Sequence, residues 1–197
     1  MPDRPIYADA SPLIGLARID RLDIVRALPI PVRVTEQVWE EVTASPDRPG
    51  AQRLREAERS GLIVVVREGG PGEYPSLDAG KAATISAARE AGGAVIIDEQ
   101  RARRLLESDP TLRSRVPYMT TAALLVRARR QGQIPSVRQL LDRLREESFP
   151  LRVPVNENTL EAARQWPTCV RPHDVRLFGQ SRSHRLPLVG QRGRPLR

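Results

Sequence analysis

The sequence predicts an α/β fold in which an open, mostly parallel sheet of four to five strands is flanked by helices. Short β-branched runs alternate with helical patterns over residues 1–165, and such alternation is typical of parallel strands joined by helical crossovers. The 197 residues are 40% hydrophobic, which suits one globular domain with a sizeable core and an additional segment. We therefore expect a single α/β domain over residues 1–165.

Five short runs are predicted to form the strands of this sheet. In chain order they are PIYAD (5–9), PVRVT (31–35), LIVVV (62–66), GAVIID (93–98) and VPYMT (116–120). A helix is predicted after IPS, because apolar residues recur there at positions i, i+3, i+4 and i+7. These residues are Val137, Leu140, Leu141 and Leu144.

The formal net charge of +8 is concentrated at one end of the chain. Residues 1–165 carry 25 Lys and Arg against 23 Asp and Glu, whereas residues 166–197 carry 7 Arg against 1 Asp. The second segment contains Pro, Gly, Ser and Arg without a period, a composition that favours disorder. We interpret residues 166–197 as a basic, disordered tail, which either holds RNA phosphates nonspecifically or is a solvated extension or a readthrough or frameshift product.

Composition and motifs exclude several classes of protein. A membrane span needs about eighteen consecutive apolar residues, and no such run exists. The opening MPDRPIYADA lacks the layout of a secretory signal, so we expect a cytoplasmic protein. Cys169 is the only cysteine, which excludes an intrachain disulfide and a zinc site built from cysteine pairs. REGGPGEYPS lacks the pattern of a nucleotide-binding P-loop.

Two aspartates end predicted strands. Asp9 closes PIYAD and Asp98 closes GAVIID. Ligands of open parallel sheets bind outside the carboxyl ends of the strands, although either aspartate alone is also suited to cap the helix that follows it. Together they indicate a functional site at this edge of the sheet.

A third carboxylate is predicted beside the core face of the helix in TEQVWEEVT. Apolar residues four positions apart, among them Val38, define the buried face, and Thr35 is placed to cap the helix. At 100° per residue Glu41 lies about 60° from the Val38 direction, whereas Glu40 faces solvent. Glu41 is therefore expected to be partly sheltered and to need a cation or hydrogen-bond partner, unless it reaches out to water.

The only lysine of the chain lies in LDAGKAATI. Lys81 is the third helical residue after a candidate N-cap, Asp78, where the helix dipole disfavours an ammonium group and a capping box favours Glu or Gln. On a helical wheel Lys81 lies about 40° from Ile85, so its side chain is predicted to point inward or along the rim. The alternative is a buried stem with its ammonium group in water.

Four segments resemble, in order and spacing, the PIN-domain proteins, in particular a bacterial and archaeal branch often described as predicted nucleic-acid-binding. The segments are YADASPLIGLARIDRL, VWEEV, LDAGKAATISAAREAGGAVIIDEQRARRL and RRQGQIPSVRQLLDRLREESF, within residues 4–165. The resemblance implies a three-layer PIN-like fold in which clustered acids hold a divalent metal for RNA cleavage. Many of the resembling proteins are the toxin component of a toxin–antitoxin pair.

The resemblance also assigns the site residues. Asp9 matches the first family acid, Glu41 the second and Asp98 the fourth, which implies that all three are catalytic and hold Mg²⁺ or Mn²⁺. The third acid falls on Lys81, where the family pattern is similar to GEAEAI and this chain has GKAATI.

Two hydroxyl side chains complete the predicted site. Ser11 matches a family hydroxyl two residues after the first acid, and Thr120 ends the strand VPYMT. Ser11, Lys81 and Thr120 are predicted to contact substrate or to line the rim of the site.

Three hypotheses follow. The first is a PIN ribonuclease with one Mg²⁺ held chiefly by Asp9 and Asp98, with Glu41 holding or orienting a metal-bound water. Lys81 is then expected to weaken metal affinity, because an ammonium group repels a divalent ion. The second is a cleavage-deficient PIN module that binds RNA or a partner protein, with Lys81 neutralising the carboxylates. The third is an unrelated α/β domain whose acids are only helix caps.

Partners are expected only by resemblance. It implies RNA, single-stranded or structured, as substrate, a small antitoxin protein that blocks the acidic cleft with an arginine, and a homodimer. No sequence feature identifies an antitoxin or a dimer interface, and no membrane partner is expected.

Overall fold

The computed structural model describes residues 4–45, 50–70 and 74–147, and within them five strands form one sheet. The strands are β1 Ile6–Ala8, β2 Val32–Thr35, β3 Ile63–Val66, β4 Ala94–Ile96 and β5 Tyr118–Met119. Their order is β3-β2-β1-β4-β5, and neighbouring strands pair in parallel throughout. The predicted α/β class and parallel sheet are confirmed. The predicted boundary at residue 165 and the tail 166–197 lie outside the described residues.

Helices connect the strands and cover the sheet. They are α1 Ala10–Arg18, α2 Glu36–Thr43, α3 Ala51–Arg59, α4 Ala79–Glu90, α5 Gln100–Ser108, α6 Pro110–Arg115, α7 Thr121–Arg130 and α8 Val137–Glu146, with a 3₁₀ helix at Leu22–Ala27. The helix predicted after IPS is α8, where Leu140, Leu141 and Leu144 are buried. None of the helices in the described segments is both long and apolar enough to cross a membrane.

Two apolar clusters lie on opposite faces of the sheet. Alternate side chains of a strand point to opposite faces, so Ile6 and Ala8 of β1 belong to one cluster and Tyr7 to the other. The first cluster includes residues of α1, α2, α7 and α8, and the second includes residues of α4 and α5. The sheet is therefore the middle of three layers, as expected for a PIN-like fold.

Side-chain hydrogen bonds cap the N-termini of α2 and α4, the helices that carry Glu41 and Lys81. The Thr35 hydroxyl accepts from the backbone N–H of Val38 at 3.5 Å, and the Asp78 carboxylate accepts from that of Lys81 at 3.0 Å. Both predicted N-caps are confirmed. α2 and α4 therefore begin at defined residues, which sets the direction in which Glu41 and Lys81 point.

Candidate functional site

The sheet brings Asp9 and Asp98 to the same edge. β1 and β4 are parallel neighbours, and the backbone N–H of Asp9 donates to the Ile96 carbonyl at 3.0 Å. Both aspartates therefore follow the carboxyl ends of adjacent strands. Ser11 lies two residues beyond Asp9, half-buried in the first turn of α1.

Asp9 is a buried carboxylate without a hydrogen-bond partner. Its exposed fraction is 0%, and neither carboxylate oxygen accepts a hydrogen bond from the described residues. It occupies the N-cap position of α1 but makes no capping bond with its side chain, which removes the alternative of a simple helix cap. Burial raises the pKa of Asp9 to about 7, although the charge of Lys81 opposes this shift. A carboxylate in this setting needs a cation or a proton.

Lys81 supplies a cation beside Asp9. The side chain is buried as predicted, with an exposed fraction of 9%. Its Nζ lies 2.5 Å from Asp78 Oδ2 and 3.9 Å from Asp9 Oδ2. Burial alone would lower the pKa of Lys81, but the carboxylates of Asp9, Asp78 and Glu41 outweigh it, so the pKa is raised. Lys81 therefore remains an ammonium ion at neutral pH.

Asp78 has two roles, of which the sequence predicted the N-cap but not the ion pair with Lys81. One carboxylate oxygen caps α4 through the Lys81 N–H, and the other binds the ammonium group of the same residue. The spacing of Asp78 and Lys81 could have indicated this ion pair, because residues three positions apart at the start of a helix lie on the same face.

Glu41 lies near the lysine but is exposed, so the expectation of a partly sheltered side chain was wrong. Its charge contributes to the raised pKa of both Asp9 and Lys81. A Cβ added at Gly80 would lie 3.1 Å from Glu41 Oε2 and 3.3 Å from Val38 Cγ2. The missing side chain at Gly80 therefore allows α2 and α4 to approach closely, which brings Glu41 toward Asp9 and Lys81.

Asp98 is held by α7. The backbone N–H of Thr121 donates to Asp98 Oδ1 at 2.7 Å, and the Thr121 hydroxyl donates to Oδ2 at 2.6 Å. Burial raises the pKa of Asp98, while these two bonds oppose the rise. Asp98 does not cap the helix that follows it, since Glu99 caps α5. The Thr120 hydroxyl caps α7 by accepting from Ala123 N at 3.2 Å, so Thr121 is the threonine that contacts a candidate acid.

The described residues do not form a carboxylate cage for a divalent metal. Asp78 is paired with Lys81, the oxygens of Asp98 accept from Thr121, and an ammonium group lies 3.9 Å from Asp9. Across residues 4–45, 50–70 and 74–147, no group of three or more His, Cys, Asp or Glu side chains is arranged to hold a metal ion. The metal and catalytic roles of Asp9, Glu41 and Asp98 stay predictions.

Comparison with known proteins adds one match. A family model described as a PIN domain matches residues 5–165. No curated protein and no solved structure matches the chain. The matched span contains every helix and strand described above, together with Asp9, Glu41, Lys81 and Asp98.

Proposed function

The chain belongs to the PIN-domain family, whose fold is of the nuclease type, and we propose that it is an RNA-binding PIN module in which Lys81 suppresses metal-dependent cleavage. The observation that carries this proposal is the position of the lysine ammonium group. It lies 2.5 Å from Asp78 and 3.9 Å from Asp9, where a positive charge competes directly with a metal ion for Asp9.

The size of the electrostatic effect supports suppression. Two unit charges about 4 Å apart interact by about 4 kcal/mol at an effective dielectric of 20, and a divalent ion doubles the repulsion. Mg²⁺ is usually held by one or two carboxylates plus substrate phosphate oxygens, and when bound it activates water and stabilises phosphodiester charge. Lys81 therefore weakens the affinity on which that chemistry depends.

RNA binding is supported by the basic side chains. Of the 32 Lys and Arg residues, every one except Lys81 is an arginine, and arginine forms paired hydrogen bonds with phosphate oxygens. Arg101 is exposed on α5, which begins two residues after Asp98. RNA is therefore expected to contact arginine side chains near Asp98, while Lys81 reduces the negative charge around Asp9.

A metal-dependent ribonuclease is the second candidate, and one observation favours it. Asp9 is fully buried with two carboxylate oxygens that have no partner among the described residues, as expected of a metal ligand. Under this candidate three acids suffice, the toxin role becomes relevant, and a small antitoxin protein is a partner to look for.

Cleavage and binding of a mixed-sequence single-stranded RNA separate the candidates. The proteins are the natural chain, Lys81→Glu, Lys81→Glu with Asp9→Asn, and Arg130→Glu, which makes the same charge change at the exposed end of α7. With Mn²⁺ present, we expect the natural chain and Arg130→Glu to bind RNA without cleaving it. Lys81→Glu should cleave RNA and bind Mn²⁺ at least about tenfold more tightly by calorimetry, and Asp9→Asn should abolish that cleavage.

Two outcomes would contradict the proposal. Metal-dependent cleavage by the natural chain that a single Asp9→Asn change removes would establish the ribonuclease instead. Equal Mn²⁺ affinity in Lys81→Glu and Arg130→Glu would show that Lys81 does not govern the metal.

A further inference from the structure

We infer that Arg103 is a phosphate-binding residue that positions RNA beside Asp98. The inference depends on the proposed RNA binding and adds a specific contact to it. Arg103 is neither one of the predicted site residues nor part of the Asp9, Lys81 and Asp78 group.

The side chain of Arg103 is anchored at the functional edge of the sheet. Arg103 lies in α5 and is half-buried, and its Nε donates to the main-chain carbonyl of Asp98 at 3.3 Å. Burial raises the pKa of Asp98, whereas the hydrogen bonds from Thr121 and the charge of Arg103 lower it. The guanidinium group is therefore held close to both the backbone and the carboxylate at the end of β4.

Arg103 forms no direct ion pair in the described part of the chain, although its charge acts on Asp98. Other arginines form ion pairs, such as Arg33 with Glu68 at 3.2 Å and Arg67 with Glu36 at 2.6 Å, but Arg103 forms none with any described carboxylate. Arg103 also hydrogen-bonds the Tyr118 hydroxyl, yet burial and Glu107 raise the pKa of that phenol to about 12, so this neighbour stays neutral. A guanidinium group that is fixed by neutral partners and forms no direct ion pair is suited to bind an anion.

Its donors suit phosphate in particular. Of the five N–H donors of a guanidinium group, one binds the Asp98 carbonyl and another binds the Tyr118 hydroxyl, which leaves donors on the terminal nitrogens for phosphate oxygens. Lys81 lies beside Asp9 at the end of the adjacent strand β1. A phosphodiester chain that crosses this edge would therefore meet a cation at the ends of both β1 and β4.

Equilibrium binding of a fluorescein-labelled, mixed-sequence single-stranded RNA tests the inference. Anisotropy is measured on the full chain at several salt concentrations without divalent metal, for the natural protein, Arg103→Gln, Arg103→Lys and Arg104→Gln. Arg104 is the exposed neighbour on the same helix and carries the same charge. Arg103→Gln should weaken affinity about tenfold and reduce the salt slope by about 0.7, the value for one lost contact to single-stranded nucleic acid.

The controls separate a phosphate contact from a structural one. Arg103→Lys should keep the salt slope but lose about threefold in affinity, because lysine binds phosphate as a point charge without the paired geometry. Arg104→Gln should lose less than Arg103→Gln in both quantities. Should Arg103→Gln fail to fold by circular dichroism, Arg103→Lys decides, since unchanged affinity in that variant would overturn the inference.

The outcomes also distinguish the inference from the proposed function. No RNA binding by the natural chain would defeat both. Binding by the natural chain with equal losses in Arg103→Gln and Arg104→Gln would defeat the role of Arg103 alone.

Discussion

At the residue scale, Lys81 binds two carboxylates in different surroundings. Asp78 is in contact at 2.5 Å, but 57% of its side chain is exposed, whereas Asp9 is 3.9 Å away and fully buried. Water screens the first interaction far more than the second. The more distant carboxylate therefore depends more strongly on the lysine.

Burial of Asp9 makes stability depend on pH. Its pKa is raised from 3.8 to about 7 in the folded protein, so the folded state binds more protons than the unfolded state between these values. Stability should fall as pH rises from 4 to 7 and then level off, because ionised Asp9 is costly when buried. Asp9→Asn should become more stable relative to the natural chain over that range, by up to about 4 kcal/mol.

Urea unfolding at pH 4, 5.5, 7 and 8 measures this difference. The control is Glu40→Gln, which removes one negative charge from an exposed side chain of α2. A gap between Asp9→Asn and the natural chain that does not change with pH would show that Asp9 is not buried in an ionised form.

The sequence predicted the identities of these residues better than their contacts. The helical wheel placed Lys81 on the inner face of α4 because its neighbours there are apolar. The same argument wrongly predicted that Glu41 is partly buried. A helical wheel shows the direction of a side chain but not whether a neighbouring element covers it. Likewise, the sequence predicted Thr120 at the rim of the site but did not indicate that Thr121 would hold Asp98, because that contact depends on where α7 begins.

At the element scale, α4 packs closely against α2 and against the segment that follows β3. This packing fixes the position of Lys81. Gly80 allows α2 to approach, and Gly69 allows the segment after β3 to pack on the backbone of α4. Strands were predictable because buried parallel strands are β-branched runs. The close contacts at Gly69 and Gly80 were not predictable, because contacts between distant segments produce no periodic pattern in the sequence.

Gly69→Ala should be strongly destabilising. Gly69 has a φ of +82°, and a Cβ there would lie 2.2 Å from the Ala83 carbonyl oxygen and 2.9 Å from Ala87 N. Both atoms belong to the backbone and cannot move without shifting α4, so we expect a loss of more than about 2 kcal/mol. Gly70→Ala is the control, since a Cβ at Gly70 meets nothing within 4 Å.

Denaturant unfolding compares the two variants. Equal free energies of unfolding for Gly69→Ala and Gly70→Ala would show that the segment after β3 does not contact α4. If the packing is as described, Gly69→Ala should also reduce RNA binding, because α4 carries Lys81.

At the scale of the whole molecule, charge is separated along the chain. Residues 166–197 hold 7 Arg and 1 Asp, while residues 1–165 are almost balanced. Removing residues 166–197 should weaken RNA binding mostly at low salt and reduce the salt slope, because each lost phosphate contact contributes about 0.7. Fluorescence anisotropy across a salt series measures both quantities, and an unchanged slope would exclude the segment from RNA binding.

The order of strands was the part of the fold least accessible from sequence. Alternating strands and helices predict parallel pairing, but several strand orders satisfy that pattern. The observed order β3-β2-β1-β4-β5 depends on long-range pairing and on the apolar faces that each helix offers. This order places β1 at the centre of the sheet, between β2 and β4, which contributes to the complete burial of Asp9.

This strand order has a consequence for protein synthesis. β1 is made first, yet one of its two neighbours in the sheet is β4, which lies in the second half of the described chain. While a ribosome is still translating the intervening helices, Asp9 has neither the Ile96 carbonyl beside its backbone nor Lys81 near its side chain. The end of the sheet that holds Asp9 and Asp98 is therefore assembled only after β4 has left the ribosome exit tunnel.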